Sequence, residues 1–287
     1  MEESIQKAAV LIEALPYIRE FEGKTVVIKY GGSAMQSAEL RKSTAEDIVL
    51  MRYVGMNPVV VHGGGPAISG MLKRLGIESK FHQGLRVTDD DTITVVEMVL
   101  AGTINKDIVS LLNCAGGNAV GLSGKDGNLL FAAQIHTTDG ADLGHVGEVT
   151  EVRPRIVEVL CQAGSIPVIA PIATDAGGAT WNVNADLAAG KIAAALRAEK
   201  LVFLTDTPGL LRDKDDPETL IHELPVSEVT RLKREGVIAG GMIPKVEACI
   251  TGLQGGVRKT HIIDGRVSHA LLLEIFTKKG LGTLVTP

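Results

Sequence analysis

Val26-Val27-Ile28-Lys29-Tyr30-Gly31-Gly32-Ser33-Ala34-Met35 is the stretch on which the reading of this chain turns. A short β-branched run ends in a lysine and drops into two glycines, and a helical pattern opens a few residues later. This is the pattern of a buried strand feeding a loop whose bare backbone N–H groups can approach an anion closely. Lys29 would add a point charge to those dipoles; an ordinary strand-to-helix turn with a solvated lysine is the plainer alternative. Pro58-Val59-Val60-Val61-His62 repeats the arrangement, running into Gly63-Gly64-Gly65 with Pro66 placed for the first helical turn. A Gly-Gly-Gly run is often only a tight turn, and His62 reads as an orienting or packed histidine rather than a base.

Outward from these two strands, apolar β-branched runs alternate with amphipathic ones. Helices are expected over about 4–15, 37–54, 90–100, 103–114, 155–162, 227–235, 242–253 and 269–276, with an alanine-rich helix ending near Arg197. In the first, Ile5, Ala8, Ala9 and Ile12 share a face, and Pro16 should kink or end it. Strands are expected at 166–170, 201–206, 260–263 and 283–285, with a third central strand at 120–122. The segments 124–136 and 146–152 suggest hairpins, with Lys125-Asp126-Gly127-Asn128 as a turn. The fold class is therefore α/β, an open, mostly parallel central sheet sandwiched by helices. A join near 197–200 would divide the chain into segments 1–199 and 200–287.

At 287 residues and 45% hydrophobic, the chain can bury a full core in one large or two closely packed domains. A net charge of −5 argues against general nucleic-acid binding, and no apolar run approaches the roughly 20 residues of a membrane span. The acidic start, Met1-Glu2-Glu3-Ser4, is no secretory signal. Cys114, Cys161 and Cys249 are isolated and read as buried thiols in a reducing cytosol, so a cytoplasmic protein is expected.

Two familiar phosphate motifs are absent. Gly124-Lys125 is followed by Asp126 and lacks the leading Walker glycine, and neither glycine cluster fits Gly-x-Gly-x-x-Gly. A phosphate site must be of another design. Lys29 with Gly31-Gly32 and His62 with Gly63-Gly64-Gly65 lie at the carboxyl ends of two strands, where ligands bind in open α/β sheets. Arg86 suits bidentate capture of a carboxylate, or else a surface ion pair with Asp89 or Asp90. Asn182, Asn184 and Asp186 alternate just ahead of a helix; capping would account for one of them, not three. Gly240-Gly241-Met242-Ile243-Pro244-Lys245 opens another helix with a cation in its first turn, against the macrodipole, which points to an anion ligand.

Together, Lys29-Tyr30-Gly31-Gly32, His62-Gly63-Gly64-Gly65-Pro66, Gly84-Leu85-Arg86-Val87-Thr88, Asn182-Val183-Asn184-Ala185-Asp186 and Gly241-Met242-Ile243-Pro244-Lys245 resemble the N-acetyl-L-glutamate kinases of the amino acid kinase family. The resemblance implies phosphoryl transfer from ATP, with Mg2+, to the side-chain carboxylate of N-acetyl-L-glutamate. It implies that Lys29 and Lys245 stabilise the transferring group, that Asp186 holds the lysines, and that Gly31, Gly32 and Gly63 bind phosphate. Gly64, Gly65, Arg86 and Asn182 would bind acetylglutamate; Thr205, Asp206, Gly209 and Leu210 would lie near the nucleotide. The kinked N-terminal helix and the run from His269 are similar to arginine-inhibited members, which form a hexamer from three dimers. By that likeness Tyr17, Lys200, His261, Glu274 and Gly280 would receive arginine, and a PII-type signalling protein is a candidate partner. An aminoadipate-type kinase or a non-catalytic arginine sensor is the alternative.

Overall fold

The computed structural model describes residues 1–35, 37–277 and 280–287. The first part of the chain forms α1 (Glu2–Phe21), β1 (Thr25–Tyr30), α2 (Ala38–Tyr53), β2 (Asn57–His62), α3 (Gly65–Leu75), the hairpin β3 (Phe81–His82) and β4 (Leu85–Arg86), α4 (Asp90–Glu97) and α5 (Asn105–Cys114). Then come β5 (Ala119–Ser123), β6 (Leu130–Gln134), β7 (Val146–Val152), α6 (Arg155–Gln162), β8 (Ile166–Ala170), β9 (Ile172–Thr174), β10 (Thr180–Val183) and α7 (Ala185–Ala195). The chain closes with β11 (Lys200–Thr205), β12 (Glu223–Pro225), α8 (Val226–Arg234), α9 (Met242–Gln254), β13 (Lys259–Asp264), α10 (Ala270–Phe276) and β14 (Thr283–Thr286).

Eight strands form one sheet in the order β12-β14-β13-β11-β1-β2-β8-β5. Its pairings are parallel except that of β13 with β14. The unbroken apolar strands follow from cover on both faces. Val26 and Ile28 of β1 pack into a core with α2 and α5, while Val27, pointing the other way, packs into a second core with α7 and α9. Each fully buried Val or Ile contributes about 1.5–3 kcal/mol, so a one-residue slip of β1 would disrupt both cores at once.

The structure departs from several expectations. Pro16 does not end α1, which runs on to Phe21; Pro16 is exposed, so the carbonyl left without its N–H partner can turn to water. The expected break between 100 and 103 is a π-helical turn, Met98–Ile104, joining α4 to α5 without interruption. Strand β5 pairs only with β8 and ends the sheet instead of lying at its centre. The expected hairpin is present, β6 pairing antiparallel with β7 after a turn in which the Asn128 N–H donates to the Lys125 carbonyl, and with β9 and β10 it closes into a small barrel, β10-β7-β6-β9. Cys161 and Cys249 are buried as expected, but Cys114, at the end of α5, is exposed. On α1, Ile5 and Ile12 are exposed, and the Ala8 side chain lies outside the description. Among the described residues no helix is long and apolar enough to cross a membrane.

Candidate active site

Strands β1 and β2 are adjacent and parallel, Tyr30 opposite His62, so their glycine turns open at the same sheet edge. The Gly63 N–H donates to the Tyr30 carbonyl at 3.0 Å and ties the two turns together. Lys29 shares the pleat of Val27 and therefore faces α7, where its Nζ lies 2.9 Å from Asp186 Oδ1. Lys245, from the first turn of α9, donates to Asp186 Oδ2 at 2.9 Å. The two helices cross closely at Gly190, where a Cβ would come within 2.7 Å of the Ala248 carbonyl oxygen. That approach brings their N-termini, and hence Asp186 and Lys245, side by side.

The Asp186 carboxyl is buried, which by itself would raise its pKa; the charges and hydrogen bonds of Lys29 and Lys245 outweigh burial and hold it below the usual range. One carboxylate thus shares two ammonium groups, leaving a net positive centre. The glycines leave room for it. A Cβ at Gly31 would stand 2.7 Å from Lys29 Nζ, and one at Gly32, whose φ is +66°, would stand 2.3 Å from Asp206 Oδ1. Helices α3, α7 and α9 all begin here, and their N-terminal dipoles favour anions.

Arg86 is buried and points inward, its guanidinium 4.6 Å from the Phe81 ring centre. It donates to Ser69 Oγ at 2.8 Å and to the Gly65 carbonyl at 3.1 Å, and its other terminal nitrogen donates to Ser79. The expected rival partners are otherwise engaged: Asp89 caps α4 through the Thr92 N–H, and Asp90 meets His145 at 2.7 Å. The alternating trio divides in function. Asn184 caps α7, accepting from the Asp186 and Leu187 N–H groups, while Asn182 donates to Thr88 Oγ1 at 3.2 Å. His62 is fully buried, and burial pushes its pKa down to about 4, so it is neutral at pH 7. Its Nδ1 contacts the Gly63 carbonyl at 3.0 Å and its Nε2 contacts Asn105 Nδ2 at 3.2 Å, so it orients the second glycine turn.

These groups line one cavity of about 640 Å3, with Lys29, Gly31, Gly32, Gly63, Gly64, Gly65, Arg86, Asn182, Asp186 and Lys245 all on its wall. Asp206 joins them, but Thr205, Gly209 and Leu210 do not. The Leu210 side chain is in the core, its N–H donates to Thr283 Oγ1, and its carbonyl accepts from the Ile221 N–H. Sequence reasoning missed Arg41 and Asp107, which pair at 2.5 Å on the cavity wall. Each is one charge on an amphipathic helix, and nothing in its neighbours sets it apart.

The amino acid kinase family model matches residues 24–264, a span that contains every one of these cavity residues. The chain is 56% identical to an acetylglutamate kinase of Desulforamulus reducens over 281 residues, 98% of each chain. It is 57% identical to one of Moorella thermoacetica over 291 residues, 99% of this chain and 98% of that one. The chain belongs to the acetylglutamate kinases of the amino acid kinase family. Among solved structures, it is similar to N-acetylglutamate synthase of Neisseria gonorrhoeae complexed with coenzyme A and N-acetyl-glutamate, at a TM-score of 0.85 and 30% identity. That match covers 98% of this chain and 63% of the synthase chain. Carbamate kinase of Giardia lamblia bound to AMP-PNP shares the fold, with a TM-score of 0.66 at 19% identity over 92% of this chain and 98% of that one.

A second cavity of this family member, about 550 Å3, lies where α1 and α10 meet the sheet and is lined by Tyr17, Lys200, His261, Glu274 and Gly280. Glu274 is buried, and its Oε1 lies 2.8 Å from His261 Nδ1 and 3.5 Å from Lys200 Nζ. Burial would raise the Glu274 pKa, but His261, Lys200 and the Leu281 N–H together hold it low. The edge of the Tyr17 ring meets Phe276 of α10 at 6.3 Å between centres.

Proposed function

We propose that this chain transfers the terminal phosphoryl group of MgATP to the side-chain carboxylate of N-acetyl-L-glutamate, giving N-acetyl-L-glutamyl 5-phosphate in arginine biosynthesis. One observation carries the reading: two ammonium groups share a single buried carboxylate beside bare glycine amides. A carboxylate oxygen attacks the phosphorus and the bond to the bridging oxygen of ADP breaks. The acceptor is already an anion, so no general base is needed; the difficulty is bringing two anions together. Catalysis is then positioning and neutralisation of charge.

Lys29 and Lys245 stabilise the moving phosphoryl group, Asp186 keeps them in register, and Gly31, Gly32 and Gly63 present N–H groups to its oxygens. Gly64, Gly65, Arg86 and Asn182 hold acetylglutamate, Arg86 taking the α-carboxylate as a planar fork of donors. Thr205, Asp206, Gly209 and Leu210 belong to the nucleotide side, so that segment 200–287 serves ATP and segment 1–199 serves acetylglutamate and dimerisation. The cavity's ammonium groups and amides fit phosphate oxygens, and the Asp206 carboxylate on its wall would hold Mg2+. Bound Mg2+ supplies further neutralisation of phosphate charge.

The second cavity supports a regulatory reading, in which arginine presents its guanidinium to Glu274 among Tyr17, Lys200, His261 and Gly280. With the long N-terminal helix, this reading extends to a cytoplasmic hexamer, a trimer of dimers, open to a PII-type signalling partner. Acyl phosphate formation, trapped with hydroxylamine, tests the core of the proposal. Acetylglutamate with MgATP should yield hydroxamate and arginine should suppress it. No product, or a preference for an aminoadipate derivative or a free amino acid, would overturn the assignment.

A further inference from the structure

Thr88 lies at 0% exposure between Arg86 and Asn182. Its backbone is pinned on both sides, its N–H donating to the Leu143 carbonyl at 2.9 Å and its carbonyl accepting from the His145 N–H at 2.7 Å. Gly144 permits this approach: its φ is +65°, and a Cβ there would stand 2.3 Å from the Thr88 carbonyl oxygen. The hydroxyl position is therefore fixed by the fold. A hydroxyl has one proton, and that of Thr88 goes to the Arg86 carbonyl at 2.8 Å. Toward Asn182 it can only accept, so the amide must offer Nδ2, at 3.2 Å. Oδ1 is then the end of the amide left for the cavity that Asn182 lines.

We propose that Thr88 is a positioning residue that dictates which end of the Asn182 amide faces the substrate, and so selects an acylated amino acid. The inference deepens the acetylglutamate reading and rests on it. An N-acyl amino acid presents a neutral N–H beside its α-carboxylate. Oδ1 accepts from that N–H, whereas a reversed amide would set N–H against N–H. The Thr88 hydroxyl therefore orders both ends of one recognition element, Asn182 for the N–H and the Arg86 backbone for the carboxylate.

Steady-state kinetics of Thr88→Val, Thr88→Ser and the pair Asn182→Ala and Thr88→Val/Asn182→Ala test this. Valine keeps the shape and removes the hydroxyl, so the KM for acetylglutamate should rise about tenfold, the range expected for a lost hydrogen bond that leaves a donor unpaired. The kcat and the KM for ATP should stay put, because the contact is made equally in ground and transition states. Serine should restore the wild-type KM, and the double variant should be no worse than Asn182→Ala alone. Should valine fail to fold, Thr88→Cys against Thr88→Ser makes the same comparison, since the thiol is a poor hydrogen-bonding group. An unchanged KM in Thr88→Val, serine as impaired as valine, or additive effects in the double variant would each overturn the role of Thr88. With the wild type active on acetylglutamate, those results overturn this inference alone; an inactive wild type overturns the functional reading and this inference with it.

Discussion

Asp186 is the residue whose surroundings say most about the chemistry. A buried carboxylate with one lysine would be a structural ion pair; with two, the three groups together keep a net positive charge. Lys245→Ala should lower kcat by about two to three orders of magnitude, the cost of losing one preorganised charge at a developing anion, with modest change in the KM for acetylglutamate. A loss confined to KM would contradict the role. In the residual activity the acid limb should move to higher pH. Burial raises the Asp186 pKa and the lysines lower it, so removing one lysine lets burial pull the carboxyl back up, and it protonates at a higher pH than in the wild type. Lys29, Asp186 and Lys245 were legible as candidates because glycines and helix starts flank them. Thr88, Asn105, Ser69 and Ser79 were not, because short polar side chains that orient others look like any surface residue until their partners are known.

At the scale of elements, the π-helical turn matters more than the helices it joins. It places Leu100 and Ile104 against Gly64, where a Cβ would come within 2.5 Å and 2.3 Å of their terminal methyls. Gly64→Ala should therefore overpack this junction at about 1–3 kcal/mol and lower the Tm by several degrees. Gly65→Ala, where a Cβ meets nothing within 4 Å, should leave the Tm close to wild type in the same thermal melt. The sequence reads as two helices, about 90–100 and 103–114; the chain instead stays helical with a wider turn at Met98–Ile104, because tertiary packing overrides a single weak helix former such as Gly102. The capping of α2 by Ser37 and of α7 by Asn184, by contrast, follows local rules.

For the whole molecule, α1 carries both exposed apolar residues and part of the second cavity's wall. Its exposed Ile5, Ile12 and Leu15 face away from the core, while Tyr17 and Glu20 line the cavity that holds Glu274. Deleting residues 1–20 should yield dimers that arginine no longer inhibits, read by light scattering and by the hydroxamate assay with added arginine. A truncated enzyme inhibited as strongly as the full chain would refute the effector assignment. The parallel sheet was legible from its unbroken apolar strands, and the cores on its two faces explain why its central strands are buried without alternation. The closed barrel β10-β7-β6-β9 was not, since its closure depends on pairing between residues as distant as Phe131 and Thr174.

Local chemistry, read along the chain, was enough to determine the α/β alternation, the two glycine turns, the helix starts and the charged residues beside them, because strand burial, caps and turns depend on neighbours a few positions away. The meeting of Lys29 with Lys245 across Asp186, the hydroxyl that turns Asn182, and the placing of β5 at the sheet's end were decided only by tertiary structure. These depend on strand order and on a close helix crossing at Gly190, which are set by the packing of the whole core and leave no periodic trace in any one segment.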